Sequence, residues 1–389
     1  MSDEHTSEHR DGPQPVERPA AEDRRDWRQA VVGFWRRRKR WILAGLALAV
    51  VVAVTIPVAR VWIAWNRIER VDFDPAQARE LIADQPLAAP ESSTTTTSEP
   101  PVQPDQPIEP STTTSTVPPP VEVPFDGELD DGDHTAVLII GSDAGGFRAD
   151  VIMLALIPTN GSDLALVSLP RDLYLDDPCG GGRERINAAL NGCGNVSGPN
   201  LLAIVAEDFT GVPVDHFVLF DFDGFARVID AAGGVEVCVD HYTYDTKTDP
   251  ELALLTGCNQ VDGEMALSWV RSRQTRQIVD GVDRKVPGVN DLTRNERQRE
   301  VVLQLLSRLS SFPNPAELVA LVEAVPDAFT LSTGLSLTTA IGIAWDLRGT
   351  PIEAVDTPEI PVTYYTTAAG ASVLLPAESF AATMGWTSP

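Results

Sequence analysis

The chain is 389 residues long, 43% hydrophobic and 22% charged, with 56 acidic against 30 basic side chains and a formal net charge of −26. The first forty residues hold ten basic and eight acidic side chains, so the remainder carries 20 basic against 48 acidic. Such a body lacks the basic patch or stripe of a nucleic-acid binder, and any local group of arginines in it stands out against its background.

Residues 1–40 are polar and read as a disordered tail. Trp41 to Ala59, "WILAGLALAVVVAVTIPVA", is apolar and charge-free, close to the ~20 residues that a membrane-spanning helix needs. Arg36–Arg40 precedes it and Trp41, Trp62 and Trp65 flank it. The positive-inside rule then gives an uncleaved signal-anchor over 41–65, with the N-terminus cytoplasmic and the rest extracellular. A cleaved signal peptide is the rival, but the polar lead is too long and no A-x-A site follows. Residues 66–132 read as a juxtamembrane segment, with a short amphipathic helix at 66–85, followed by a linker. The linker, 86–124, is dominated by Pro, Ser, Thr and Glu and cannot bury a core.

The folded part is expected from 133. "TAVLIIG" (135–141), "DVIMLALI" (150–157) and "LALVSL" (164–169) are near-continuous apolar runs, suited to strands covered on both faces. Asn160-Gly161 is a hairpin signal between the second and third. "NLLAIVAEDFTG" reads as a helix ending at Gly211, "DHFVLFDF" as a strand, "DGFARVIDAAGG" as a helix and "VEVCVD" as a strand. "MALSWVRSR" is either a strand or a helix end. "TRNERQREVVLQLLSRLSSF" is a helix. This alternation predicts an α/β three-layer sandwich with a mixed central sheet flanked by helices.

In an antiparallel meander the first strand ends near Gly141, the second begins at Asp150, and the third ends at Leu169 beside that start. Asp143, Arg148, Asp150, Arg171 and Asp172 then gather at one sheet edge. Two carboxylates there suit Mg²⁺ or Mn²⁺, and the arginines suit phosphate oxygens. A pair of salt bridges at a sheet edge is the competing account. Arg271 and Arg273, in "WVRSR", share a face if that segment is extended. In "TRNERQ", Thr293 and Glu296 form a capping box, placing Arg294, Arg297 and Gln298 on the first turns of one helix. Cations there oppose the dipole, at about 0.3–1 kcal/mol each, unless an anion binds. A solvated helix start is the alternative.

Other chemistries are missing. The chain has no G-x-S-x-G, H-E-x-x-H or G-x-x-x-x-G-K-[ST], and "GCGNVSG" (192–198) has the wrong spacing for a dinucleotide fingerprint. Cys179, Cys193, Cys238 and Cys258 all fall on the exported side, without C-x-x-C or histidines at ligand spacing, which favours disulfides. Of three pairings, 179–193 and 238–258 each close a short loop containing turn residues.

In order, "LIIGSD", "RADVIMLALI", "LVSLPRDLYL", "RINAAL", "GVPVDHFVLFDFDGFARVIDAAGGVEV", "VDGEMALSWVRSR" and "RNERQREVV" resemble the sequence blocks of LytR–CpsA–Psr proteins. The resemblance covers 133–310, and more weakly "LSTGLSLTTAIGIAWDLRG". It implies a catalytic domain at 133–312, with a C-terminal extension at 313–389 packed on it. It also implies a membrane-anchored phosphotransferase that moves a glycopolymer from a polyprenyl-pyrophosphate carrier to peptidoglycan. By the same resemblance Asp143 and Asp150 hold Mg²⁺, and Arg148, Arg171, Arg271, Arg273, Arg294 and Gln298 bind the pyrophosphate, joined by Arg297. Asp143, Asp150, Arg171, Arg271 and Arg273 form the catalytic set, and the polyprenyl tail enters an apolar tunnel. The segment between the two aspartates is shorter than in many members, and 274–290 is longer. The alternatives are a non-catalytic scaffold that binds polyprenyl phosphate or wall polymer, and a pyrophosphatase acting on the same carrier.

Overall fold

The computed structural model describes residues 43–84, 134–286, 291–310 and 326–386, apart from 45, 47, 49–50, 53–54, 144–145, 147, 160–163, 327 and 348–349 within those spans. The chain divides into two units, Met1–Ala59 and Arg60–Pro389. The tail 1–40, the linker 86–124, the Asn160-Gly161 turn and part of the expected anchor lie outside the described residues. The described part of 43–59 is helical; among the described residues no helix is long and apolar enough to cross a membrane.

In the second unit β1 (Glu69–Val71) and α1 (Pro75–Ala83) come first. They are followed by β2 (His134–Ser142), β3 (Ala149–Pro158), β4 (Ala165–Ser168), β5 (Tyr174–Asp176) and β6 (Arg183–Arg185). A 3-10 turn at Ile186–Asn191 leads into α2 (Gly198–Thr210), β7 (His216–Phe220) and α3 (Phe222–Ala231). Then come β8 (Val235–Val239), β9 (Tyr242–Asp245), β10 (Leu252–Leu254), β11 (Gly257–Val261) and α4 (Gly263–Arg271). The remaining elements are β12 (Arg276–Val279), β13 (Val282–Lys285), α5 (Asp291–Ser310), β14 (Phe329–Ser332), α6 (Leu337–Asp346), β15 (Val362–Thr366), β16 (Ser372–Pro376) and α7 (Phe380–Thr383).

The main sheet has six strands in the order β1-β14-β7-β2-β3-β4. It is mixed: β2 pairs parallel with β7 and antiparallel with β3, and β3 pairs antiparallel with β4. The expected meander is therefore present. Both faces are covered, which explains the unbroken apolar runs. In β3, Ile152, Leu154 and Leu156 pack with Leu202 and Ile204 of α2. The alternate residues Met153, Ala155 and Ile157 pack on the other face with Val302 and Leu303 of α5 and Ile343 of α6. A strand's period of two thus feeds two cores at once, giving three layers. Gly211 ends α2 as predicted, in the left-handed conformation at φ 72°.

Two expected boundaries change. Folded structure starts before 133: β1 is a parallel partner of β14, and the ion pairs of Arg79 with Glu207 and Asp208 tie α1 to α2. Residues 66–85 are thus integral to the domain. The region 313–389 is likewise more than an appended extension, because β14 lies inside the main sheet between β1 and β7. The cysteines pair as expected, Cys179 with Cys193 and Cys238 with Cys258.

A second core is built by α3, α4, β8, β10 and β11, with Phe225, Ile229, Trp269 and Val270 buried in it. Gly263 permits the close crossing of α4 and α3, since a Cβ there would stand 2.1 Å from the Ala226 carbonyl oxygen. This crossing carries α4 to its last residue, Arg271, beside the end of β2.

Candidate active site

The site forms where the β2–β3 hairpin meets the end of β4. The register of β2 against β3 shifts between Gly141 and Ser142, a bulge of the kind that re-aims side chains. Beyond it the Asp143 N–H donates to the Arg148 carbonyl at 3.2 Å, and the Gly146 N–H donates to the Asp143 carbonyl at 2.9 Å. The chain doubles back within this tight turn, with Gly146 at φ 70°. Asp143 and Asp150 are therefore brought to the same edge, while Arg148 stays exposed beside them. The Leu169 N–H donates to the Ile152 carbonyl at 2.9 Å, which sets the end of β4 against the start of β3.

Two residues later Arg171 reaches Asp150, Nη1 to Oδ1 at 2.5 Å. Its Nε lies 3.5 Å from Asp172, whose other oxygen is 3.2 Å from Arg185 Nε. Asp150, Arg171, Asp172 and Arg185 thus make one chain of alternating charge. Arg185 was not singled out from the sequence, although it opens the "RINAAL" block. Its Nη2 also donates to the Ser372 carbonyl at 2.8 Å, which anchors β16 to the site.

From the other side, Asp150 lines a cleft with Arg271, Arg294 and Gln298. The rest of the lining is mainly apolar: Phe220, Phe222, Phe225, Leu267, Val270 and Val302, with Gly141 at the edge. The cleft is narrow, with a cavity volume of ≈ 30 Å³. Gly141 helps keep it narrow, since a Cβ there would sit 3.0 Å from Val151 and 3.1 Å from the Phe220 ring. The Arg271 guanidinium lies over the Phe222 ring, 4.2 Å from its centroid, a cation–π contact that fixes its direction. Arg294 and Gln298 are 3% and 5% exposed, one turn apart on α5. Keeping a guanidinium buried there requires anions or acceptors around it.

One alternative is settled and two expectations are corrected. "MALSWVRSR" is helical through Arg271, and Ser272 leaves the helix at ψ 125°. Arg271 and Arg273 therefore do not share a strand face. Helix α5 begins at Asp291, so Thr293 lies inside its first turn and is not the N-cap of a capping box. Arg297 turns away from the cleft. Its guanidinium stacks on Trp269 at 3.8 Å, and Nη1 donates to the Trp269 carbonyl and Thr275 Oγ1 at 3.3 and 3.2 Å. Burial pushes its pKa down to about 10, against the pull of Asp245, Glu296 and Glu300.

Arg297 is instead part of a buried brace under the 272–275 turn. Asp245, 1% exposed, accepts from Ser272 Oγ at 2.6 Å and from the Gln274 N–H at 3.0 Å. Burial drives this carboxyl up, but hydrogen bonds from Ser272 and from the backbone N–H groups of Lys247, Gln274 and Arg273 outweigh it, and it stays below the usual range. The brace fixes the backbone that carries Arg273, whose side chain is exposed.

The donor chemistry of Asp143 and Asp150 fits a hard divalent cation. Asp150 Oδ1 is taken by Arg171, and Oδ2 has no hydrogen-bond partner among the described residues. The one cluster of three potential metal ligands among the described residues is elsewhere, at Glu236, Cys238 and Cys258. There both sulfurs are committed to a disulfide.

Comparison with known proteins places this arrangement. The chain is 34% identical over 212 residues to "Probable cell wall biosynthesis protein LcpB" of Corynebacterium glutamicum, covering 54% of this chain and 46% of that protein. It is 26% identical over 216 residues to "Polyisoprenyl-teichoic acid--peptidoglycan teichoic acid transferase TagV" of Bacillus subtilis, covering 54% and 51%. It thus spans about half the length of both relatives. The solved structure of a LytR-Csp2A-Psr enzyme from Actinomyces oris shares the fold, with a TM-score of 0.54 and 24% identity, over 67% of this chain and 95% of that one. The model of the LytR_cpsA_psr family matches residues 92–384, three quarters of the sequence and every strand of the main sheet except β1. The chain belongs to the LytR–CpsA–Psr family.

Proposed function

We propose that this protein is a phosphotransferase that moves a glycopolymer from a polyprenyl-pyrophosphate carrier to peptidoglycan. One observation carries the reading: a cleft with aromatic and aliphatic walls opens onto Asp150, Arg271, Arg294 and Gln298. A substrate that fits both halves has an anionic head and a long apolar tail. The apolar walls would continue as the tunnel that takes the polyprenyl chain. The relatives support the choice of polymer and acceptor, since TagV is named for transfer of teichoic acid to peptidoglycan. The span expected at 41–59 would anchor the protein in the cell membrane with this domain outside, where carrier and wall meet.

The chain's own residues do two things. Arg271 and Arg294 neutralise the pyrophosphate from the cleft side, and Gln298 donates beside them. Arg171 holds Asp150 and faces the same edge, with Arg148 exposed beside them, and Arg273 would be the exposed cation that meets the carrier from the 272–275 turn. Phosphoryl transfer gains most from such positioning and charge neutralisation. Asp143 and Asp150 would hold Mg²⁺, or Mn²⁺, which supplies Lewis-acid polarisation of phosphoryl oxygens when bound. The wall acceptor supplies a sugar hydroxyl as nucleophile, and a phosphodiester remains.

The test is direct. Purified protein is incubated with a polyprenyl-pyrophosphate-linked oligosaccharide, and release of polyprenyl phosphate is followed by mass spectrometry for the wild type, Arg271→Ala and Arg294→Ala. Wild-type release with loss in both variants supports the reading. No release by the wild type, with acceptor and divalent cation supplied, rejects it.

A further inference from the structure

Within the long 274–290 segment, residues 276–285 have no part in the chemistry above, yet they fold into a defined hairpin. Strands β12 and β13 join the edge of β9, giving a four-stranded sheet in the order β10-β9-β12-β13. One face of this sheet is packed: Thr243, Asp245, Leu252 and Leu254 are buried. The opposite face is open. Register puts Tyr244, Arg276 and Lys285 in one row across it, and Tyr242, Ile278 and Asp283 in the next. The rings of Tyr242 and Tyr244 stack with centroids 5.8 Å apart, and Tyr242 is 38% exposed. Arg276 grips Asp283 through three hydrogen bonds, from Nε to the two carboxylate oxygens at 2.9 and 3.0 Å and from Nη2 to Oδ2 at 2.7 Å, and the Tyr244 hydroxyl joins that pair. Lys285 beside them is exposed and has no acidic partner among the described residues.

We propose that this face is a docking surface for a carboxylate-bearing polysaccharide, the chemistry of the wall acceptor. Three observations support that occupant. Paired tyrosines on an open sheet present flat π-faces, on which the C–H faces of pyranose rings seat, with flanking polar groups left for hydroxyls. Charge agrees: with Asp283 paired to Arg276, the face keeps one unpaired charge among the described residues, the cation Lys285, in a body that is otherwise strongly acidic. Placement agrees too. The row of Tyr244 and Arg276 begins directly beyond the 272–275 turn, which Asp245 at the end of β9 clamps, and that turn carries Arg273. A glycan lying along the rows would be led to the arginines of the site.

This inference rests on the proposed acceptor being a wall glycan, so its test measures binding with no donor present. A chain unable to transfer polymer would still report the surface. Full-length protein, purified in detergent, is titrated with soluble glycan strands prepared from polymer-stripped peptidoglycan, with the same strands after amidation of their carboxylates, and with polyglutamate. The variants are Tyr242→Ser and Lys285→Glu, both at exposed positions, with melting temperatures measured in parallel. The expected result is saturable binding to intact strands. Each variant and the amidated strands should bind about fivefold more weakly, as loss of one aromatic contact or one exposed charge pair implies. Melting temperatures should stay unchanged. Two results overturn the proposal: equal binding by variants and wild type, or polyglutamate binding as well as the strands and insensitive to Tyr242→Ser.

Discussion

Arg171 Nη1 lies 2.5 Å from Asp150 Oδ1, and the two side chains are 18% and 22% exposed. The same pair serves two accounts, an ion pair that closes a sheet edge and a phosphate ligand beside a metal ligand. They differ in what a substitution does. If Arg171 neutralises developing phosphate charge, Arg171→Ala lowers turnover about a hundredfold, the cost of one lost preorganised donor. Arg171→Lys should recover little of it, because a point charge does not reproduce the guanidinium fork. Turnover and melting temperature are measured together. Lower stability with unchanged turnover per folded molecule would assign the pair to structure alone.

Arg297 should behave differently from Arg294. It supports the 272–275 turn through Trp269 and Thr275, so Arg297→Met is expected to cost about 1–3 kcal/mol of stability, the scale of broken buried hydrogen bonds. Thermal unfolding gives that number. Arg294→Met should in addition raise KM or lower kcat for the carrier, which Arg297→Met should not do in the folded protein.

The second disulfide closes a 20-residue separation between Cys238 and Cys258 across paired strands β8 and β11. Replacing both by serine is expected to lower stability by about 3 kcal/mol in the chain-entropy model. Non-reducing peptide mapping checks the pairing, and denaturant titration checks the magnitude.

His216, at the start of β7, is held below its ordinary pKa of 6.5 by burial, against a weaker upward pull from Asp215. The unfolded chain therefore binds the proton more readily than the folded one. Stability from this group is complete above pH 6.5 and is lost as pH falls through the depressed folded value. His216→Gln should flatten that part of the stability profile, as followed by urea midpoints between pH 7 and 5.

The sequence was most legible where two-sided burial imposes a pattern. The runs at 135–141, 150–157 and 164–169 match β2, β3 and β4 within two residues at each end. Their antiparallel order alone places Asp150 beside Arg171, as the ion pair bears out. Short strands were not legible. β1 and β14 are three and four residues long, and pairing with distant partners decides them rather than local propensity. The β12–β13 hairpin did carry a readable sign: Asp280-Gly281, both at positive φ, between paired Val279 and Val282. Arg297 shows the limit at the site. Its spacing from Arg294 sets a helix face only roughly, and the side of that face that meets Trp269 depends on how α4 packs. Arg185 was hidden because its role depends on Asp172, which sits on a separate strand connection.

The carboxylate pair gives a metal prediction. Asp143→Asn combined with Asp150→Asn should abolish activity and its dependence on Mg²⁺ or Mn²⁺, while circular dichroism stays native, since both side chains lie at a sheet edge. Isothermal titration with Mn²⁺ provides a readout independent of turnover, with binding expected in the wild type and lost in the double variant.

The central claim is transfer, and one measurement addresses it most directly. Full-length protein is mixed with a polyprenyl-pyrophosphate-linked, isotopically labelled oligosaccharide and uncrosslinked peptidoglycan strands, and muramidase digests are analysed by mass spectrometry. The account predicts a muropeptide carrying the labelled sugar through a phosphodiester, formed by the wild type and reduced about a hundredfold in Arg171→Ala. Labelled sugar phosphate released into solution with no linked muropeptide, at equal rates with and without the strands, would contradict it.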